Sequence, residues 1–364
     1  MYVKRDYSVL GPENAASVSK GLANAQWYRC AVPRKQLKEL MQRRDGPAIR
    51  DTILWALLFI AFGYGGYYFW GTWYCVPFFI GYGVLYGSST DSRWHECGHG
   101  TAFKSFWLNN LVYQVACFMI MREPEIWRWS HTRHHTDTII VGRDPEIVAM
   151  RPPAIWKIAL YFFGWPTAFL ALKKAAIHAT GRMLPDEQTF VPRSEWSKVY
   201  RTARIWLVIH AAAVISAIAF HSWLPVMYVG PLPLMYGTWL SVYFGLTQHV
   251  GLAEDVLDHR LCSRTVTMNP VFRFLYWNMN YHVEHHMFPM VPYHALPKLH
   301  EAVKADTPVP CASTIAAYFG EIIPALFKQQ RDPTYTVRRP LPPSATPYGA
   351  TPYATTPGVA VPAE

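Results

Sequence analysis

The sequence predicts an all-α integral membrane protein, with four transmembrane helices in two hairpins and a cytosolic helical cap. Three observations lead there. Only 16% of the 364 residues are charged while 51% are hydrophobic, whereas a soluble domain carries about 25% charged residues. Asp, Glu, Lys and Arg are absent from two whole stretches, Thr52 to Thr90 and Ile205 to Ala253. Each stretch is long enough for two passes of about 20 apolar residues. Eight of the 15 histidines fall in three five-residue windows, all outside those stretches. The mean hydropathy of +0.03 conceals the unevenness, and an ordinary soluble protein is excluded.

Residues 1–51 form a polar, basic N-terminal segment with ten Lys or Arg, among them Arg34, Lys35, Lys38, Arg43 and Arg44. It holds no short apolar core ahead of a small-residue cleavage site, so no signal peptide is expected. Residues 52–331 form the membrane domain. Within it, spans at 53–70 and 73–87 turn at Gly71 and Thr72, and spans at 205–220 and 224–247 turn around His221 to Trp223. Trp55, Trp70, Trp73, Trp206 and Trp223 lie near the span ends, where amphipathic rings favour the interface. Glycines at 63, 65, 66, 81, 83 and 87 allow helices to pack closely.

The positive-inside rule places the N-terminus, 91–204 and 248–331 in the cytoplasm. That orientation accounts for the net charge of +10 and the pI near 9.3, so no nucleic acid partner is expected. Phe106 to Met121 and Ile155 to Leu172 are shorter or interrupted, the second by Lys157 and Pro166, and are expected to lie at the interface or half-inserted. Ser313 to Gln329 reads as a last amphipathic helix. From Asp332 the chain turns proline-rich and repeats Ala-Thr-Pro-Tyr at Ala345 and Ala350, so 332–364 is expected to be a disordered tail. The six cysteines form no CxxC pair and no disulfide framework.

The chemistry is carried by three windows: His95-Glu-Cys-Gly-His99, His131-Thr-Arg-His134-His135 and His282-Val-Glu-His285-His286. Residues at i, i+3 and i+4 share one side of a helix, so each window aims two or three imidazoles in one direction. Imidazole suits iron, copper and zinc rather than magnesium or calcium. Eight histidines exceed what one ion can take, and two metals with four or five ligands each fit. All three windows emerge on the cytoplasmic face of the four-span topology. His249, at the end of the fourth span, offers a ninth ligand, and His259 is a weaker candidate. His178, His210, His221, His294 and His300 carry no pattern and read as structural or solvent-facing. Metal-bound histidines commonly donate their second N–H to a carboxylate, a role expected here for Glu96, Asp137 and Glu284. Cys97 reads as a small buried hydrophobe.

The boxes HxxxH, HxxHH and HxxHH around two hydrophobic hairpins resemble the membrane-bound fatty acid desaturase/hydroxylase superfamily. The resemblance runs from about Ile53 to Leu299 and includes Trp-Arg-Trp-Ser-His-Thr-Arg-His-His-Thr-Asp-Thr at 127 to 138 and Asn-Tyr-His-Val-Glu-His-His-Met-Phe-Pro at 280 to 289. It implies a di-iron centre in the cytosolic cap, with His95, His99, His131, His134, His135, His282, His285 and His286 as iron ligands and His249 matching the extra histidine of many members. It further implies O2 as co-substrate, an acyl or alkyl substrate drawn from membrane lipid, and desaturation as the reaction. The bacterial members it is similar to imply a multi-pass protein of a bacterial inner membrane with its site on the cytoplasmic side.

Two departures stand out: the first box has the short HxxxH spacing, and the last begins with His where front-end desaturases have Gln. No HPGG haem motif and no ferredoxin segment occurs in these residues, so a separate electron donor, a ferredoxin or similar carrier with its reductase, is expected. Hydroxylation or oxidative demethylation on the same scaffold is the alternative outcome. A metal transporter or store would place paired ligands near the bilayer midplane. Only His210, His221 and His249 lie in the charge-free stretches, and none is paired there by helical spacing.

Overall fold

The computed structural model describes residues 4–349. They are mostly helical, and no β-strand forms among them beyond two isolated bridges, Thr265 with Tyr281 and Val266 with Cys311. Two short helices, α1 (Pro12–Ser19) and α2 (Arg34–Leu40), precede α3 (Asp45–Tyr68). Helix α3 begins ahead of the predicted Ile53. Asp45 suits its first turn, and the Asp45 carboxylate accepts hydrogen bonds from the Ser105 amide at 2.9 Å and hydroxyl at 2.7 Å. Ile53, Leu57, Ile60 and Tyr64 form an exposed apolar stripe along it, which water would oppose and lipid accepts.

Helix α4 (Cys75–Gly83) returns along α3 and continues through a five-residue π-helical segment, Val84–Ser88, into α5 (Ser89–Gly98). The predicted second span is thus the first part of a helical run that reaches the first histidine box. The wider π turn is stabilised from outside: the Trp55 indole N–H donates to the Leu85 carbonyl at 3.1 Å, and the Ser88 hydroxyl donates to the Gly237 carbonyl at 2.5 Å. Helix α6 (Phe106–Met119) leads to α7 (Pro124–Thr136), which carries the second box.

Among the described residues, two helical runs are long and apolar enough to cross a membrane, Arg34–Tyr68, which joins α2 to α3, and Arg193–Ala219. The second contains α10 (Trp196–Ala219), whose outward Val208, Ile215 and Ile218 are exposed. A third candidate is the bent pair α8 (Ile155–Tyr161) and α9 (Trp165–Ala179), which meet at 78°. This pair covers the segment expected to be half-inserted.

The predicted fourth span, 224–247, is not one helix. It is divided into α11 (Leu224–Tyr228), α12 (Pro231–Gly237) and α13 (Trp239–His249). Pro231 and Pro233 remove amide donors, and Gly230 takes a φ of 102°, a conformation open to glycine and disfavoured for other residues. The break lets Gly237 lie directly on Gly83. A Cβ at Gly237 would stand 2.1 Å from the Gly83 carbonyl oxygen.

Short helices α14 (His259–Cys262), α15 (Pro270–Leu275), α16 (His282–Met287) and α17 (Leu296–Val303) follow, and then a helical run from Thr314 to Arg331. The core between these elements and α5 to α7 holds Trp94, Tyr113, Phe244, Trp277 and Leu299. Buried Arg93 lies over the rings of Trp55, Phe274 and Trp277, 4.8–5.5 Å from their centroids.

The expectation of disorder from Asp332 onward is corrected for 332–349. The Val337 amide donates to the Gly251 carbonyl at 2.8 Å, and buried Arg339 pairs with Glu321 at 3.2 Å. The Arg260 guanidinium donates to the Thr346 carbonyl at 2.9 Å. Proline-rich composition discouraged regular structure but not an extended chain whose polar groups find partners at Gly251, Arg260 and Glu321. Residues 350–364, with the second Ala-Thr-Pro-Tyr, lie outside the described residues.

Candidate metal centre

Four elements bring the predicted histidines together. Helix α5 carries His95 and His99, α7 carries His131, His134 and His135, α13 ends on His249, and α16 carries His282, His285 and His286. All nine converge, in two groups. His95, His99, His131, His135 and His285 form one, and His134, His249, His282 and His286 form the other. Within each group, one ring nitrogen from every member lies within 4.8 Å of all the rest.

The division follows from helix geometry. Positions i and i+4 lie roughly 40° apart around the axis, while i+3 falls roughly 60° to the other side. In the second box, His131 and His135 join the five-histidine group and His134 joins the four. In the third box, His282 and His286 join the four and His285 joins the five. Each HxxHH helix therefore serves both groups.

The residues fit a pair of metal ions. Nε2 of His131 and His135 lie 3.1 Å apart, Nε2 of His135 and His285 3.2 Å, Nε2 of His249 and His282 2.9 Å, and Nε2 of His282 and His286 3.0 Å. Both nitrogens of His95 and Nε2 of His99 are buried with no hydrogen-bond partner. Such atoms are costly to bury unless something else satisfies them. Burial and the neighbouring imidazoles hold His95, His131, His135, His282, His285 and His286 well below the usual histidine range. The same burial brings His99 down to about 4. Neutral imidazoles are the form that binds metal.

The supporting groups are not the three carboxylates expected. Asp144 Oδ2 accepts from His134 Nδ1 at 2.8 Å, and Glu146 Oε2 lies 3.1 Å from His131 Nδ1. The Cys262 carbonyl accepts from His249 Nδ1 at 2.7 Å, and the Thr138 hydroxyl lies 3.2 Å from His286 Nδ1. Burial opposes charge on His134, but Asp144 outweighs it and lifts the imidazole to about 9; Asp144 accepts the Nδ1 proton, and a metal ion would displace the one on Nε2. Burial pushes the Glu146 carboxyl up to about 7.

Of the three expected carboxylates, Glu96 alone approaches a group histidine, with Oε1 3.7 Å from His285 Nδ1. Burial pushes it up to about 8. Asp137 is instead taken by Arg133 at 2.6 Å and Arg143 at 3.1 Å, and Glu284 by His300 and the Thr265 hydroxyl, both at 2.5 Å. Asp144 and Glu146 follow the second box in a loop, where helical spacing gives no signal. The one cue is their position, nine to fifteen residues downstream of the box histidines. His259 belongs to neither group and stacks on Trp27. Cys97 is buried in the apolar core, as expected. His178, which showed no pattern, lies buried between Glu123 at 2.6 Å and Glu187 at 2.7 Å, away from the groups.

Fold and site together define a helical protein with candidate membrane spans, whose nine imidazoles form two groups that could each hold a metal ion. Comparison with known proteins gives a consistent result. The family model described as fatty acid desaturase matches residues 71–315, and the chain belongs to that family.

An "Omega-3 fatty acid desaturase, endoplasmic reticulum" of Nicotiana tabacum is 26% identical over 238 residues, covering 59% of this chain and 60% of the relative. An "sn-1 acyl-lipid omega-3 desaturase (ferredoxin)" of Nostoc sp. (strain 36) is 24% identical over 227 residues, covering 58% of this chain and 62% of the relative. An "Acyl-lipid omega-3 desaturase (cytochrome b5), endoplasmic reticulum" of Arabidopsis thaliana is 24% identical over 297 residues, covering 76% and 74%. The match thus spans about three fifths of the length of the first two relatives.

Proposed function

We propose that this chain is an oxygen-dependent membrane desaturase that introduces a double bond into an acyl chain, with two iron ions held by nine histidines and electrons from a separate carrier. The observation that carries the reading is the convergence of the nine imidazoles in groups of five and four. When bound, the iron pair supplies dioxygen-dependent one-electron oxidation, which an unactivated C–H bond requires and which side-chain acids and bases cannot provide.

His95, His99, His131, His135 and His285 hold one ion, and His134, His249, His282 and His286 hold the other. Asp144 keeps the His134 proton on Nδ1, and Glu146 does the same for His131. The apolar walls of Trp94, Tyr113 and Trp127 beside His95 and His99 limit the entry of water. The run from Cys75 to Gly98 and the broken segment 224–249 complete four crossings in two hairpins with α3 and α10, and the histidine helices cap them on the cytoplasmic side. A bacterial inner membrane is the setting. The substrate is a lipid-borne acyl chain, in keeping with the acyl-lipid names of two relatives, which also name ferredoxin and cytochrome b5.

The test is expression of the chain in a host with defined lipids under isotopically labelled dioxygen. New double bonds with the label recovered in water are expected. Label retained in the main lipid product as an alcohol would refute desaturation.

A further inference from the structure

We infer that the N-terminal segment forms an electron-entry port, where an acidic one-electron carrier protein docks over Trp27 and passes its electron through His259 to the four-histidine group. The inference rests on the metal-centre reading and adds to it the place where the partner binds.

Trp27 is partly exposed and tightly held. Its indole N–H donates to the Thr136 carbonyl at 3.0 Å, and the next amide, of Tyr28, donates to the Leu257 carbonyl at 2.8 Å. These two bonds tie the segment to the end of α7 on one side and to the loop before α14 on the other. The indole is thereby laid parallel to the His259 imidazole, with an interplanar angle of 7° and ring centroids 4.2 Å apart. His259 is 2% exposed, is in neither histidine group, and lies 5.1 Å centroid to centroid from His286, which is in the four-histidine group. Three rings in contact thus run from the surface to the metal centre. Electron tunnelling weakens exponentially with through-space gaps, so such a series is a favoured route. The stack alone would account for packing, but not for a buried histidine placed between an exposed indole and a metal-binding group.

The rim of the port is cationic. Arg29 is exposed two residues from Trp27. Arg133 and Arg143, with side chains 21% and 12% exposed, flank Thr136 and share one buried carboxylate, Asp137, so the pair adds positive charge to the rim. A carrier with carboxylates around its redox group complements this face, and encounters of that kind need only a small interface and are steered by charge. A second aromatic series, Trp127 to Trp94 to His131, suits entry less well. There Arg122 lies over both indoles and is tied to Asp91 at 2.6 Å.

Each encounter oxidises the carrier by one electron and reduces the group held by the histidines by one. No bond forms or breaks, and no proton moves in the step.

The test mixes the iron-loaded full chain in detergent with reduced plant-type [2Fe–2S] ferredoxin and follows ferredoxin oxidation by stopped-flow absorbance. Dithionite with methyl viologen, which needs no docking, serves as the second reductant. Trp27→Leu is expected to slow ferredoxin oxidation several-fold even at saturating ferredoxin, with iron content and reduction by dithionite unchanged. Trp27→Phe, which keeps a ring on His259, should retain most of the rate. Arg29→Glu should lower the association rate about tenfold at low ionic strength, an effect that fades as salt is raised. A wild-type rate in Trp27→Leu, or equal slowing with dithionite, overturns the port. Slowing by Trp127→Leu instead also overturns it and moves entry to the other series. If Trp27→Leu transfers electrons normally while the wild type desaturates lipid, the port fails alone. A wild type that binds no iron removes both readings.

Discussion

Replacing Asp144 by Asn tests the two-group reading of the metal centre most directly. Asp144 is buried, and its carboxylate accepts three hydrogen bonds: from His134 Nδ1 and the Ile139 amide on Oδ2, both at 2.8 Å, and from the Glu146 amide on Oδ1 at 2.8 Å. All three partners are donors. An asparagine would turn one acceptor into an NH2 group facing a donor, and would remove the charge behind His134. Loss of a hydrogen bond to a charged group costs about 1.5–3 kcal/mol.

For the metal, loss of the group behind a ligating histidine costs roughly 10–100-fold in affinity, or about 1.4–2.7 kcal/mol. His134 belongs only to the four-histidine group. Asp144→Asn should therefore weaken one ion and leave the other close to wild-type affinity. The assay is iron stoichiometry of the full chain in detergent against a graded chelator, read by elemental analysis. Two plateaus should separate, the weaker shifted by the factor above, with Glu146→Gln acting on the other plateau through His131. Retention of both ions at wild-type affinity, or equal loss of both, would refute the reasoning.

Two further outcomes are expected. His99 takes a proton only at about 4 when folded, against about 6.5 for a free histidine, and the other depressed histidines act in the same sense. The unfolded chain therefore binds more protons below about 6.5, and the metal-free protein should lose stability as pH falls from there, by up to about 1.4 kcal/mol per pH unit for each such histidine. Denaturant unfolding of metal-free protein at a series of pH values checks this, and a flat profile would contradict it. Gly237→Ala should destabilise by about 1–3 kcal/mol or more, because its Cβ would stand 2.1 Å from the Gly83 oxygen and 2.5 Å from its carbonyl carbon. A thermal midpoint in detergent unchanged from wild type would show that α12 and α4 can separate freely.

The convergence of the histidines was largely legible because histidine spacing is a helical signal. Nine imidazoles could be named, and two metals inferred, without any tertiary information. Which histidine joins which group depends on how α5, α7 and α16 are docked, and no local pattern encodes that. Asp144 and Glu146 were hidden for a related reason: they reach the boxes from a loop, whereas Asp137 and Glu284 sat close in sequence and found Arg133, Arg143 and His300 instead. Hydrophobic length located α3 and α10. It misjudged 224–247, where Pro231, Pro233 and Gly230 break a uniformly apolar stretch. Composition also overstated disorder after Asp332, since the partners of Val337 and Arg339 lie in Gly251, Glu321 and Val309, distant in the chain.

The opposite allocation of the two HxxHH helices has a consequence for assembly. Because α7 and α16 each contribute to both groups, the spacing between the two positions is fixed by a single helical turn on each, like marks on a rigid ruler. A substitution that leaves both helices wound therefore acts on its own position alone. The same sharing makes the pair vulnerable as a unit: a lesion that unwinds either helix empties both positions, and no half-filled enzyme survives it.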